Sequence, residues 1–339
     1  MNWDMLGHAW AIDQLKEQIV QDRLRHAYLF TGPPGVGRRS LALRFAQAIN
    51  CQNPPAPGMY CGKCRSCTLL ESFQHPDLSI VQSDQEGTDL KIDKIRELQR
   101  RLSLSPYEAR YRVALLLRFQ EANDNAQNAL LKTLEEAPEK VILLLTADTA
   151  ESLLPTIVSR CEVLRLRPLP LETVQASLRA RGIPAERAEL AAHISGGRPG
   201  YAIRLSQDGS EMLDQRQEWL EALWDQMHSS RVKRFQIAAA LTASKGGSRE
   251  DRDAVREKLR GALLTWLPFW RDVMLRCAGA SSPLTNPDQA ERIERVAAGM
   301  ELSAARGHVA ALEDGLARLP NANLLLLVET LLLGLPRLG

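Results

Sequence analysis

The residues best suited to chemistry lie close together near the start of the chain. Cys51, Cys61, Cys64 and Cys67 follow the spacing C-x9-C-x2-C-x2-C. Four thiolates at such short separations suit one tetrahedral Zn2+ with Zn–S bonds of about 2.3 Å. Gly62 and Lys63 permit the tight turn that brings Cys61 and Cys64 together, and the proline-rich Asn53–Gly58 loop separates the first two ligands. All four positions are thiols, so the expected site is closed and structural rather than catalytic. Free buried thiols are a poor account of four cysteines within 17 positions, and nothing else in the chain suggests the redox partner of an iron–sulfur cluster. Cys161 and Cys277 stand alone.

A second candidate precedes the cysteines. Gly32-Pro33-Pro34-Gly35-Val36-Gly37-Arg38-Arg39-Ser40 lies between a strand signal and a helix signal, where backbone amides and a helix N-terminus can hold a phosphate. The full motif is G-x-x-x-x-G-K-[ST]. Gly32 and Gly37 keep its spacing, but Arg38 replaces the Lys, Arg39 replaces the Mg2+-binding hydroxyl, and Ser40 comes one residue late. Arg is a planar fork rather than a compact point charge. Two readings stay open: a degenerate phosphate loop that holds ATP or ADP, built from Gly32, Gly35, Gly37, Arg38, Arg39 and Ser40, or a glycine turn kept for the fold alone.

An ATPase of this kind also needs acids at the end of a second strand, one for Mg2+ and one for the attacking water. Val113–Leu117 runs instead into Arg118-Phe119-Gln120-Glu121, so Leu117 and Arg118 fill the acidic places and Glu121 is three residues too far along. Two separate parts of a hydrolytic apparatus are degraded in one chain.

The elements that position these residues are legible from periodicity. Apolar runs at 27–31, 78–81, 113–117, 141–146 and 163–166 predict strands, and helical spacing predicts helices over 39–50, 92–102 and 123–136. Buried strands alternating with helices imply a parallel sheet covered on both faces. After Pro168 the strands stop, and short helices are predicted over 171–180, over 185–194 and from 201, followed by a linker at 206–210 and a helical remainder. Lys91, Lys94, Arg96, Arg100 and Arg101 line one helix face, but Asp93 and Glu97 share it, which favours a solvated surface over a DNA contact. The Trp219/Trp224 stripe likewise favours core over a stacking platform. With 45% apolar and 25% charged residues and a net charge of +2, the 339-residue chain is neither disordered nor broadly polybasic. No apolar run reaches the roughly 18 residues of a membrane span, and Met1–Asp4 does not start like a secretory leader, so a cytoplasmic protein is expected.

His26–Phe30, the glycine loop, the four-cysteine insertion after its helix, Asn128–Glu136, Leu154–Ile157 and Ser159-Arg160-Cys161 together resemble the bacterial clamp-loader branch of the AAA+ ATPases, from about Leu6 to Leu205. The resemblance implies an α/β AAA+ nucleotide-binding core with a parallel sheet over 1–167, a zinc module at 51–67, a three-helix lid over 168–206 and an all-α collar (oligomerisation) domain over 207–339. It further implies that Arg160 acts as an arginine finger in a neighbouring subunit's ATP site; without Ser159 and Cys161 it would read as a surface ion pair. The matching place for the lid's γ-phosphate-sensing Arg is Gly200, with Arg198 two residues away. The degraded loop and acids resemble a non-hydrolysing member of the branch, whose implied partners are the gamma/tau and delta subunits, and through the complex the sliding clamp and primed DNA. The alternatives are an ATP-hydrolysing motor of the gamma/tau kind that uses Arg38, and a zinc-dependent DNA-binding protein of another kind with a vestigial loop.

Overall fold

A computed structural model describes residues 3–84, 87–207, 209–243 and 249–338. Met1, Asn2 and the Asp208 of the expected linker lie outside the described residues. In chain order the first part comprises α1 (Ala9–Val20), β1 (Ala27–Thr31), α2 (Arg38–Asn50), α3 (Arg65–Glu71), β2 (Leu78–Val81), α4 (Ile92–Leu102), β3 (Arg112–Leu116), α5 (Asp124–Glu135), β4 (Val141–Ala147), α6 (Pro155–Val158) and β5 (Glu162–Arg165). Then follow α7 (Leu171–Ala180), α8 (Ala185–Ser195), α9 (Pro199–Gln207), α10 (Gly209–Met227), α11 (Arg231–Thr242), α12 (Arg249–Cys277), α13 (Ala290–Ala298), α14 (Leu302–Arg318) and α15 (Leu324–Gly334).

The five strands form one sheet in the order β2-β3-β4-β1-β5, and every pairing is parallel. Strand side chains alternate between faces. Tyr28, Phe30, Val113, Leu115, Ile142 and Leu144 pack with α1 and α2 residues such as Ile12, Leu15, Leu41 and Phe45. Leu29, Ala114, Leu116, Leu143 and Leu145 pack on the opposite face with Ile95, Leu98, Leu130 and Ile157 from α4, α5 and α6. Burial on both faces is why β1, β3 and β4 read as unbroken apolar runs. Asp77, just before β2, has no exposed side-chain surface; it accepts the amides of Tyr107, Glu108 and Ala109 and pairs with Arg112 at 3.0 Å. The shape of the turn leading into β3 is thus set by one carboxylate.

The chain divides into two compact units, 1–177 with 197–201 and 178–196 with 202–339. The second is all helical among the described residues. Its core gathers Leu223, Met227, Trp266, Trp270, Val273, Ile293 and Leu332, so Trp219 and Trp224 belong to core packing as the apolar stripe predicts. The buried Arg234 caps α15, donating to the carbonyls of Leu332, Leu335 and Pro336. Arg216 pairs with Asp288 at 2.8 Å. The longest helix, α12, carries Pro268 in its interior.

Candidate functional site

Helix α2 has a candidate site at each end. At its C-terminus Cys51 is the capping residue, and Cys64 caps the start of α3. The Sγ atoms of Cys51, Cys61, Cys64 and Cys67 all lie within 4.8 Å of one another, with Cys51–Cys64 and Cys61–Cys67 both at 4.0 Å. Tetrahedral bonds of about 2.3 Å to a shared Zn2+ would place sulfurs about 3.8 Å apart, so the set fits such a metal with little adjustment. Gly62, at φ +69°, supplies the left-handed turn that lets the amides of Lys63 and Cys64 donate to Cys61 Sγ at 3.4 and 3.2 Å. Those two amides draw the Cys61 thiol down to about 6, whereas burial raises that of Cys67. The module is tied down by Trp3, whose indole is buried, stacks on Phe45 at 6.3 Å and donates to the Gly58 carbonyl at 3.0 Å. Tyr60 in turn donates to the Trp3 carbonyl.

At the N-terminus of α2 the glycine loop is closed by contacts from its own unit. Gly32, at φ +140°, has no room for a side chain, because a Cβ would lie 2.3 Å from the Leu166 carbonyl oxygen. The Gly35 carbonyl accepts the Gly200 amide at 2.8 Å. A Cβ at position 200 would stand 3.0 Å from that same carbonyl oxygen, a tight approach. Arg198 stacks on Tyr201 at 4.8 Å. His8 Nε2 lies 2.9 Å from the Val36 carbonyl oxygen, so this nitrogen carries the proton; burial lowers the pKa of the ring.

The two arginines of the motif are engaged elsewhere. Arg38 is buried and donates to Asp148, just beyond β4, at 2.7 Å. Arg39 lies over the Phe73 ring at 4.4 Å, and Ser40 is an exposed residue of α2. The acidic places are also filled. Leu117 is buried in the core beneath the helices. Arg118, at φ +48°, donates to Glu121 at 3.0 Å, and Glu121 also accepts from Ser83 and from the Gly87 amide. Glu121 is therefore committed to protein donors, with the Arg118 guanidinium beside it.

Arg160 follows α6 on the surface, and its guanidinium meets Glu135 at 2.7 Å. Ser159 Oγ donates to the Thr156 carbonyl, and burial pushes the Cys161 thiol up to about 12, keeping it neutral among its apolar neighbours. The basic face of α4 is largely in ion pairs, Lys94 with Asp84, Arg96 with Asp93 and Arg101 with Glu97. Sequence reasoning missed His8 and Asp148, and it read Glu135 only as part of the Asn128–Glu136 run. Asp148 carried a signal, as a polar residue at the carboxyl end of a parallel strand, where such sheets bind ligands.

A five-stranded parallel sheet with a glycine loop after β1, a cysteine insertion after the next helix and three short helices after the last strand is the α/β architecture that the resemblance to AAA+ proteins implies. Residues 7–170 match the family described as "DNA polymerase III, delta subunit". The chain is 36% identical over 226 residues to DNA polymerase III subunit delta' of Pseudomonas aeruginosa, and 32% identical over 221 residues to that of Bacillus subtilis. Over this stretch the chain is similar to delta-prime subunits of DNA polymerase III. These matches take 66% and 65% of this chain and the same shares, somewhat under two thirds, of the relatives' own length. The tau/gamma subunit of Haemophilus influenzae is 35% identical over 166 residues, a match that covers 49% of this chain and 24% of that one. Among solved structures, a DNA polymerase III gamma subunit-related protein from Thermotoga maritima overlaps 95% of this chain and 97% of its own, at 17% identity and a TM-score of 0.49. Among the described residues no helix is long and apolar enough to cross a membrane.

Proposed function

We propose that the chain is the non-hydrolysing, stator-like subunit of a bacterial DNA polymerase III clamp loader. In this reading it assembles in the cytoplasm with gamma/tau and delta subunits and helps place the sliding clamp on primed DNA; polymerase activity belongs to the holoenzyme. Residues 1–167 are the core, 168–206 the lid and 207–339 the collar. The Cys51–Cys67 module holds one structural Zn2+. The observation that carries the reading is the state of the phosphate loop. Arg38 is drawn onto Asp148, Arg39 is stacked on Phe73, and the acidic places are a buried Leu117 and the ion-paired Arg118. A chain so arranged lacks the groups that hold Mg2+ and orient water. Any ATP or ADP that enters the loop is held without being hydrolysed.

Arg160 then serves a neighbour's site. Phosphoryl transfer spreads negative charge over the γ-phosphate oxygens, and a guanidinium inserted across an interface stabilises it. Such fingers are worth about 10³–10⁵ in rate at their own site. In a complex reconstituted with gamma/tau and delta, Arg160→Ala is expected to leave assembly and metal content intact and to lower DNA-stimulated ATP turnover by the share of the one site it borders. Lys at this position should restore little, because it keeps the charge but not the fork. Wild-type turnover and clamp loading with Arg160→Ala would sink the trans-finger role.

A further inference from the structure

Arg160 is not held ready in this subunit. Its Nη1 donates to the Thr156 carbonyl at 2.9 Å, four residues back in α6, and its Nη2 donates to Glu135 Oε1 at 2.7 Å. Glu135 is the last residue of α5, where unpaired helix carbonyls add to the negative potential of the carboxylate. Both outer guanidinium nitrogens thus have internal acceptors. An arginine recognises phosphate through the same paired N–H groups. The Glu135 carboxylate and a phosphate oxygen are therefore competing occupants of Nη2.

The surroundings confine the exchange to one side chain. On one side Ser159 Oγ is bonded to the Thr156 carbonyl and Cys161 is packed into the core. On the other, Glu162 accepts from Gln14 and Gln18 of α1 at 2.5 and 2.6 Å, fixing the start of β5. Arg160 lines a concavity of about 940 Å³ together with Arg23, Arg25 and His26, so its side chain has room to swing without movement of the backbone. The side chains of the pair are 35% and 51% exposed, so water can solvate both groups as they separate.

We infer that Glu135 is a latch: it parks Arg160 in the free subunit and is exchanged for phosphate when a neighbouring ATP site closes on this face. The inference rests on the trans-finger reading of Arg160. It makes Glu135 a positioning residue, one that sets how readily the finger is delivered without touching the nucleotide.

The test uses the reconstituted complex with E135Q, R160A and the double variant, reading DNA-stimulated ATP turnover. The part of turnover that R160A removes is expected to rise about two- to five-fold in E135Q, the range set by a partly exposed ion pair. The rise should be in kcat with KM for ATP unchanged, and the double variant should match R160A alone. An unchanged or reduced finger-dependent rate in E135Q overturns the latch while leaving the finger standing. An equal gain in the R160A background also overturns it, because the effect would not run through Arg160. If R160A itself removes no turnover, the finger reading fails and the latch falls with it.

Discussion

The two ends of α2 carry glycine-turned sites of opposite fate. At the C-terminal end, four sulfurs converge on one point and the surrounding amides turn toward them. At the N-terminal end, the side chains that would converge on a phosphate have been taken up by the protein: Arg38 by Asp148 and Arg39 by Phe73. Loop carbonyls likewise meet His8 and the Gly200 amide. The spacing of Gly32 and Gly37 survives in both readings of the loop, so spacing does not tell them apart. The neighbouring side chains are bonded within the protein in this structure. Side chains bonded within the protein must break those bonds before they can meet a ligand, whereas the four sulfurs already face a common point.

The comparison breaks most sharply at the cysteines. Cys64→Ser is expected to drop bound Zn2+ from one equivalent to near zero and to collapse amide-exchange protection across 51–71 while the sheet keeps its own. Structural zinc contributes about 10–16 kcal/mol of apparent binding energy in zinc-finger peptides, which sets the ceiling for the effect. A full equivalent of metal in the variant would show that the cluster is not the site. The opposite end should respond less. Arg38→Ala removes one charged hydrogen bond to Asp148 and should cost about 1–3 kcal/mol in denaturant unfolding. Neither wild-type chain nor variant should hydrolyse ATP alone, and steady turnover that is lost on Arg38→Ala would reverse the comparison. The smallest effect is expected from acid. Burial lowers the pKa of His8, His75 and His308, so the unfolded chain takes up protons more readily than the folded one. The stability they contribute is present above the unfolded value of 6.5 and is lost as pH falls through their lower folded values. His8→Gln, which retains an N–H for the Val36 carbonyl, should flatten part of that slope in unfolding measured from pH 7.5 to 5.5; an unchanged slope would remove His8 from the account.

Much of the core was legible because its signals are local. The strands around Phe30, Leu115 and Leu144 are apolar on both faces, and the cysteine set needs only a turn and two helix ends to close. Helix α1 was not read, although Ile12, Leu15 and Ile19 have helical spacing. Its cap is His8 in a left-handed conformation whose side chain makes no capping hydrogen bond to the helix, so the usual Ser, Thr, Asp or Asn start signal is missing. Helix α3 is short and begins inside the cysteine cluster, where metal spacing dominates the pattern. The partners of the loop were invisible for a different reason: Arg38 and Asp148 are 110 residues apart, and no periodicity links the first turn of a helix to the residue after a distant strand. Arg160 was legible as a motif, but its Glu135 partner comes from another helix and is set by tertiary packing.

The burial of Trp3 gives the molecule an optical gauge. Its indole N–H is spent on Gly58, inside the loop between the first two cysteines, and its ring lies against Phe45. Loosening that loop would release the indole into water, and its emission would shift toward the red. Trp3 is one of six tryptophans, so the change would be a fraction of the total signal. With the other five held in place, the order of the cysteine loop could be followed by fluorescence during chelation in the intact protein, without a label.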